Sequence, residues 1–254
     1  MWDNQSASWG KQIEDPENFF ARRTSWIAQL ITVTVNGGKA LDVGCGSGLL
    51  SKILTERGFD VYGTDISEKM IRKTIEALSG AIEAPETRFR VCGDAEIPFE
   101  GMKFRLITGI GVLQYVQERS RYVKKLASFL EHGGFLILSS SNRLSFFVMF
   151  SIISRILRFR PTKTWLQTIG NLSRTGIWSG GFIDYKKAES LYSASALDRL
   201  VTLQGFELID SIDTYYLKWL DKNPFTRTRI GKLIARSLGW NHIGIFQKRF
   251  NGFN

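Results

Sequence analysis

The segment Ala40-Leu-Asp-Val-Gly-Cys-Gly-Ser-Gly-Leu-Leu-Ser51 constrains this chain more than any other stretch. An apolar strand pattern runs into a loop with glycines at 44, 46 and 48, and an apolar helix pattern follows at Leu49, Leu50, Ile53 and Leu54. Strand, tight loop and helix in that order open a parallel α/β unit. Glycine lacks a Cβ, so the loop can turn sharply and bring its backbone close to a ligand. The loop amides and the helix N-terminus behind them are expected to face a bound anion.

The spacing discriminates between ligands. A dinucleotide fingerprint reads Gly-x-Gly-x-x-Gly. Here Leu49 stands where the third glycine belongs, and the run is Gly44-Cys45-Gly46-Ser47-Gly48. Asp42 lies two residues before the first glycine, where a carboxylate would repel a pyrophosphate. It suits a ligand that carries positive charge beside a carboxylate, as S-adenosylmethionine does with its sulfonium, ammonium and carboxylate.

After this unit the strand–helix alternation repeats. Strands are predicted at Lys39–Val43, Asp60–Thr64, Phe89–Cys92, Phe104–Thr108, Gly134–Ser139, Phe206–Ile212 and His242–Lys248. Helices are predicted at Asn18–Val35, Leu49–Arg57, Glu68–Leu78, Arg119–Leu130 and Ser195–Leu203. In an open parallel sheet, ligands bind beyond the carboxyl ends of the strands. Asp65, after the second strand, is placed to accept both ribose hydroxyls, with Ile66 and Met70 beside it. Ser67 competes with Asp65 as the cap of the next helix. Asp94 and Ala95, after the third strand, fall on the adenine side, and Gly109, Ile110 and Gly111, after the fourth, at the methionine end.

These residues together resemble class I S-adenosylmethionine-dependent methyltransferases. Asp42-Val-Gly-Cys-Gly-Ser-Gly48 is similar to the first motif of that family, Asp65 to its second-strand acid, and Gly93-Asp94-Ala95 to its adenine-side motif. Phe104 to Val116 resembles the fourth-strand motif, and Leu130 to Leu138 the turn into the fifth strand, where His132 replaces the usual proline. The resemblance covers about Leu41 to Leu138 and implies a Rossmann-like α/β fold. Its mostly parallel sheet has seven strands, the last antiparallel, and helices on both faces. Within the family, Ser140-Ser-Asn-Arg143 followed by a basic apolar helix is similar to enzymes that methylate quinol precursors and natural products.

On this reading the whole chain, 1–254, is a single methyltransferase domain: an N-terminal helical cap at 1–36, a cofactor-binding core at 37–141, a helical lid insertion at 142–192, and C-terminal strands at 193–254. The insertion opens with an apolar run from Phe146 to Leu157, while Ser151, Ser154, Arg155 and Arg158 share one narrow helical face. That segment is too short and interrupted to span a bilayer. It fits a lid, a core helix or a basic amphipathic helix at a membrane surface.

Net charge supports the same division. Residues 1–141 carry 17 Lys and Arg against 17 Asp and Glu, so the full +10 lies in 142–254. A basic face of this kind fits an anionic membrane, an acidic substrate or nucleic acid. Against nucleic acid, Gly109-Ile-Gly-Val112 stands where exocyclic-amine methylases carry Asn/Asp-Pro-Pro-aromatic, and neither Cys45 nor Cys92 has the setting of a C5-pyrimidine nucleophile. A small-molecule acceptor methylated at oxygen is therefore expected, ahead of small-molecule N-methylation, nucleic-acid methylation and a non-catalytic binding role. The two cysteines form no zinc-spaced cluster and the N-terminus is polar, so no metal and a cytoplasmic, peripherally membrane-associated protein are expected. An oxygen nucleophile benefits from a base. His242, at the start of an antiparallel last strand, is the candidate, and Gln114, Tyr115, Arg143 and Tyr215 are candidate substrate contacts. Trp2 and Trp9 are candidates to close over the cofactor.

Overall fold

The computed structural model describes residues 19–93, 96–141, 193–214, 228, 230–231 and 241–249. Among them, strands β1 (Gly38–Val43), β2 (Phe59–Asp65), β3 (Phe89–Val91), β4 (Phe104–Ile110), β5 (Leu130–Ser141), β6 (Phe206–Thr214) and β7 (Asn241–Lys248) form one sheet. Its order is β3-β2-β1-β4-β5-β7-β6. β1 to β5 pair in parallel, and β7 runs antiparallel to both β5 and β6. The described helices are α1 (Phe19–Thr34), α2 (Leu49–Glu56), α3 (Glu68–Leu78), α4 (Pro85–Arg88), α5 (Arg119–Phe129) and α6 (Ala194–Thr202), with a 3-10 turn at Leu113–Tyr115. Asp94, Ala95, Arg143, Tyr215, Trp2, Trp9 and the 142–192 insertion lie outside the described residues.

Strand alternation sends successive side chains to opposite faces. Phe135 and Ile137 of β5 join Ile27 and Ile31 of α1 and Leu50 and Leu54 of α2 in one core. Leu136 and Leu138 join Val123 and Leu126 of α5 and Leu197 and Val201 of α6 in the other. The central strands are thus apolar on both sides, as a parallel sheet covered by helices requires. Each fully buried Leu or Ile contributes roughly 1.5–3 kcal/mol.

β5 differs from expectation. It begins at Leu130 rather than Gly134, because Leu130 pairs with Phe104 before the register shifts and Phe135 pairs with Leu106. The residues between, including His132, form an irregularity inside the strand. The turn read from Glu131-His-Gly-Gly134 persists there as a bulge.

His242 is placed differently from the role expected of it. Its ring is 1 % exposed, with Nδ1 at 2.7 Å from Asp213 Oδ1 on β6 and Nε2 at 2.9 Å from Asp198 Oδ1 on α6. Carboxylates at both nitrogens favour the doubly protonated ring, with one N–H directed to each. Burial alone would push its pKa down, but the hydrogen bonds to Asp198 and Asp213 outweigh it and the net shift is upward. An imidazolium with both N–H groups engaged has no lone pair for a substrate proton. His242 instead ties α6 and β6 to β7.

This tie sets a pH dependence. A histidine whose folded pKa lies above its unfolded value of 6.5 stabilises fully below that value and loses the contribution as pH rises through the folded pKa. His242→Ala removes the shared partner of the buried Asp198 and the part-buried Asp213 carboxylates and is expected to cost about 3–5 kcal/mol at pH 6. In urea denaturation the gap to wild type should narrow as pH rises. Equal stability at pH 6 would show the tie to be inert.

Candidate active site

A cavity of about 340 Å³ opens at the carboxyl ends of β1, β2 and β4. The strand order reverses beside β1, between β1 and β4, and ligands of open α/β sheets bind at such a switch point. Gly44, Gly46, Asp65, Ile66, Met70, Ile110 and Tyr115 of the sequence-derived candidates line this cavity. Asp42, Cys45, Gly48, Gly109 and Gln114 are not among its lining residues.

The glycine loop is pinned to the next strand. Gly44 and Cys45 N–H both donate to Thr64 O, at 2.7 and 2.9 Å, and Gly46 N–H donates to Asp65 Oδ2 at 2.9 Å. These amides serve the carboxyl end of β2, which differs from the anion cradle expected of them. Gly44 and Gly48 have φ of +69° and +82°, the left-handed region that favours glycine. A Cβ on Gly44 would overlap Val112 Cγ2, and one on Gly48 would lie 2.9 Å from Thr74 Cγ2. At Gly46, on the cavity wall, a Cβ would meet no protein atom within 4 Å. Two glycines therefore serve packing, and the middle one leaves space at the cavity.

The two acids at this end occupy different environments. Asp42 is 2 % exposed and accepts from Ser51 Oγ at 2.7 Å and Thr108 Oγ1 at 2.8 Å. It thereby joins β1 to α2 and β4. Burial raises its pKa to about 6; the Ser51 and Thr108 hydrogen bonds oppose that rise and nearby Asp65 adds to it. Asp65 faces the cavity and accepts from Gly46 N–H and, through Oδ1, from Ser67 N–H at 2.9 Å. These two main-chain N–H groups fix the direction of the carboxylate at the cavity wall. Ser67 also caps α3 by accepting from Met70 N–H at 3.3 Å, so the cap of that helix falls to Ser67 and not to Asp65.

Other groups at the cavity escaped the sequence reading. Tyr122 of α5 lines the wall but sits at helical core spacing with Val123 and Leu126, so its sequence signal is that of packing. Arg23 of α1 brings Nη1 to 3.6 Å from the position of a Cβ on Gly111, a lining residue. Burial lowers its pKa to about 10 while charge interaction with Tyr115 favours the guanidinium form. It is therefore a cation at neutral pH. Its signal was present: Arg23 stands four residues before Ile27 and seven before Leu30, on the buried stripe of α1.

A family profile described as a methyltransferase domain matches residues 17–211. A protein named ubiquinone biosynthesis O-methyltransferase from Bordetella avium (strain 197N) is 30% identical over 160 residues, 59% of this chain and 65% of that protein. One of the same name from Coxiella burnetii (strain RSA 493 / Nine Mile phase I) is 35% identical over 123 residues, 48% of this chain and 50% of that protein. The chain thus spans between half and two thirds of these relatives' length. Among solved structures, magnesium protoporphyrin IX methyltransferase from Synechocystis PCC 6803, with bound SAH, superposes with TM-score 0.60 at 19% identity, covering 94% of this chain and 92% of that one. A S-adenosylmethionine-dependent methyltransferase from Clostridium acetobutylicum ATCC 824 superposes with TM-score 0.60 at 13% identity, over 97% and 99%. The expected fold is borne out, and the chain belongs to the methyltransferase-domain family.

Proposed function

We propose that this chain is a S-adenosylmethionine-dependent methyltransferase that methylates an oxygen of a small phenolic, lipidic or natural-product molecule. The observation that carries the reading is the cavity at the switch point, with the Asp65 carboxylate fixed on its wall beside the glycine loop. Asp65 would accept the ribose hydroxyls, with Ile66 and Met70 as apolar surface for the nucleoside. Arg23, a cation beside Gly111, would take the methionine carboxylate. Asp42 and Asp65 place negative charge around the loop, which favours a sulfonium. Asp94 and Ala95 remain proposed adenine-side contacts. When bound, the cofactor supplies an electrophilic methyl group. The protein's task is to position the acceptor and exclude water.

The names of the curated relatives support an oxygen acceptor. Tyr115 lines the cavity, and Gln114 precedes it on the same turn. We assign both, with Arg143 and Tyr215, to the acceptor side. With His242 engaged by Asp198 and Asp213, deprotonation of the acceptor falls to another group or to water. The basic excess of 142–254 supports contact with an anionic membrane that would hold a lipidic acceptor. Among the described residues, no helix is long and apolar enough to cross a membrane.

Loss of a charge-assisted hydrogen bond costs roughly 1.5–3 kcal/mol, so Asp65→Ala should weaken calorimetric S-adenosylmethionine binding by at least about tenfold. Unchanged affinity would remove Asp65 from the site. In a cell extract given tritiated-methyl cofactor, the label should enter solvent-extractable small molecules and resist nuclease. Label released by nuclease would instead favour a nucleic-acid acceptor. The chain should co-sediment with phosphatidylglycerol vesicles at low salt and less at high salt, since surface charge attraction is screened. Recovery in the supernatant at both salt levels would refute membrane contact.

A further inference from the structure

We propose that Thr74 is a positioning residue for the cofactor loop, acting through Gly46 without touching the ligand. The inference rests on the cofactor reading above. Thr74 lies at the middle of α3 and is fully buried. Its Oγ1 donates to Gly46 O at 2.8 Å, across 28 residues of chain. The same hydroxyl lies 3.9 Å from Cys45 Sγ. Its Cγ2 fills the space a Cβ on Gly48 would enter. One side chain therefore meets Cys45, Gly46 and Gly48.

The location is chemically specific. Threonine is a poor residue for a helix interior, because its branched Cβ loses rotamer freedom there. A helical threonine hydroxyl also commonly bonds back to a carbonyl of its own helix. At position 74 the hydroxyl reaches the loop instead. Gly46 is then held at both ends, its N–H by Asp65 of β2 and its carbonyl by Thr74 of α3. Glycine has the widest backbone freedom of any residue. Without both anchors, the Gly46 peptides could rotate and alter the cavity wall. α3 also begins at Ser67, whose N–H fixes the other Asp65 oxygen, so this one helix orients both the acid and the loop. Neither valine nor serine reproduces the whole contact. Valine keeps the methyl and puts a second methyl in place of the hydroxyl, whereas serine keeps the hydroxyl and loses the methyl.

The test compares Thr74→Val and Thr74→Ser with wild type. Wild-type S-adenosylmethionine binding is measured first by calorimetry; no binding there overturns the cofactor reading and the proposal that rests on it. With wild type binding, Thr74→Val should raise the Kd by about fivefold to tenfold, the range of one buried hydrogen bond, while Thr74→Ser stays within about twofold. In the ligand-free protein, hydrogen–deuterium exchange in the peptide covering 44–50 should rise in Thr74→Val and stay near wild type in Thr74→Ser. Wild-type affinity and exchange in Thr74→Val overturn the positioning role, as do equal losses in both variants, which assign the effect to packing under Gly48. If Thr74→Val does not fold, Thr74→Ser decides: wild-type affinity and exchange support the hydroxyl's role, and a loss in either overturns it.

Discussion

The loop that follows β1 is held against the carboxyl end of β2, and the rest of the site depends on that contact. Two consecutive amides, of Gly44 and Cys45, converge on the single carbonyl of Thr64. The next amide, of Gly46, is taken by the carboxylate of Asp65. These bonds require the parallel register in which Val43 lies beside Thr64, so sheet pairing sets the loop's place. The cavity wall is thus an extension of the β1–β2 ladder, and the acid at its edge is oriented by the loop it supports.

Asp42 and Asp65 show how environment divides one residue type between two tasks. Asp42 has its oxygens directed to hydroxyls from α2 and β4, away from the cavity. It holds together the three elements that converge under the loop. Asp65 is held by main-chain N–H groups, which fix its direction at the cavity wall. A partly desolvated pair of carboxylates around one loop favours a cationic ligand over a diphosphate, because Coulomb interactions are weakly screened there.

The far half of the sheet is organised by charge as well as by packing. Leu197, Val201 and Phe246 bury α6 against the sheet, and the Asp198–His242–Asp213 contacts fix its registration with β6 and β7. The His242 ring holds α6 and β6 to β7 through contacts at both of its nitrogens. Ser140 pairs with His242 across β5 and β7, so the tie adjoins the carboxyl end of β5.

Glycine and carboxylate spacing around Asp42–Gly48, and the strand–helix alternation after it, were legible in the sequence because they are local. Periodicity marks burial, and glycines mark left-handed backbone. The element boundaries then follow to within a few residues, except at the start of β5, where pairing with Phe104 extends the strand backward. What the tertiary structure alone decided was the direction of side chains whose partners are distant in sequence. Thr74 meets Gly46 across 28 residues, and His242 meets Asp213 and Asp198 across 29 and 44. Those meetings depend on sheet register and helix packing, which no single segment encodes. For the same reason the His242 ring lies between two carboxylates from other elements, and an arginine on the buried stripe of a helix lies beside the cavity.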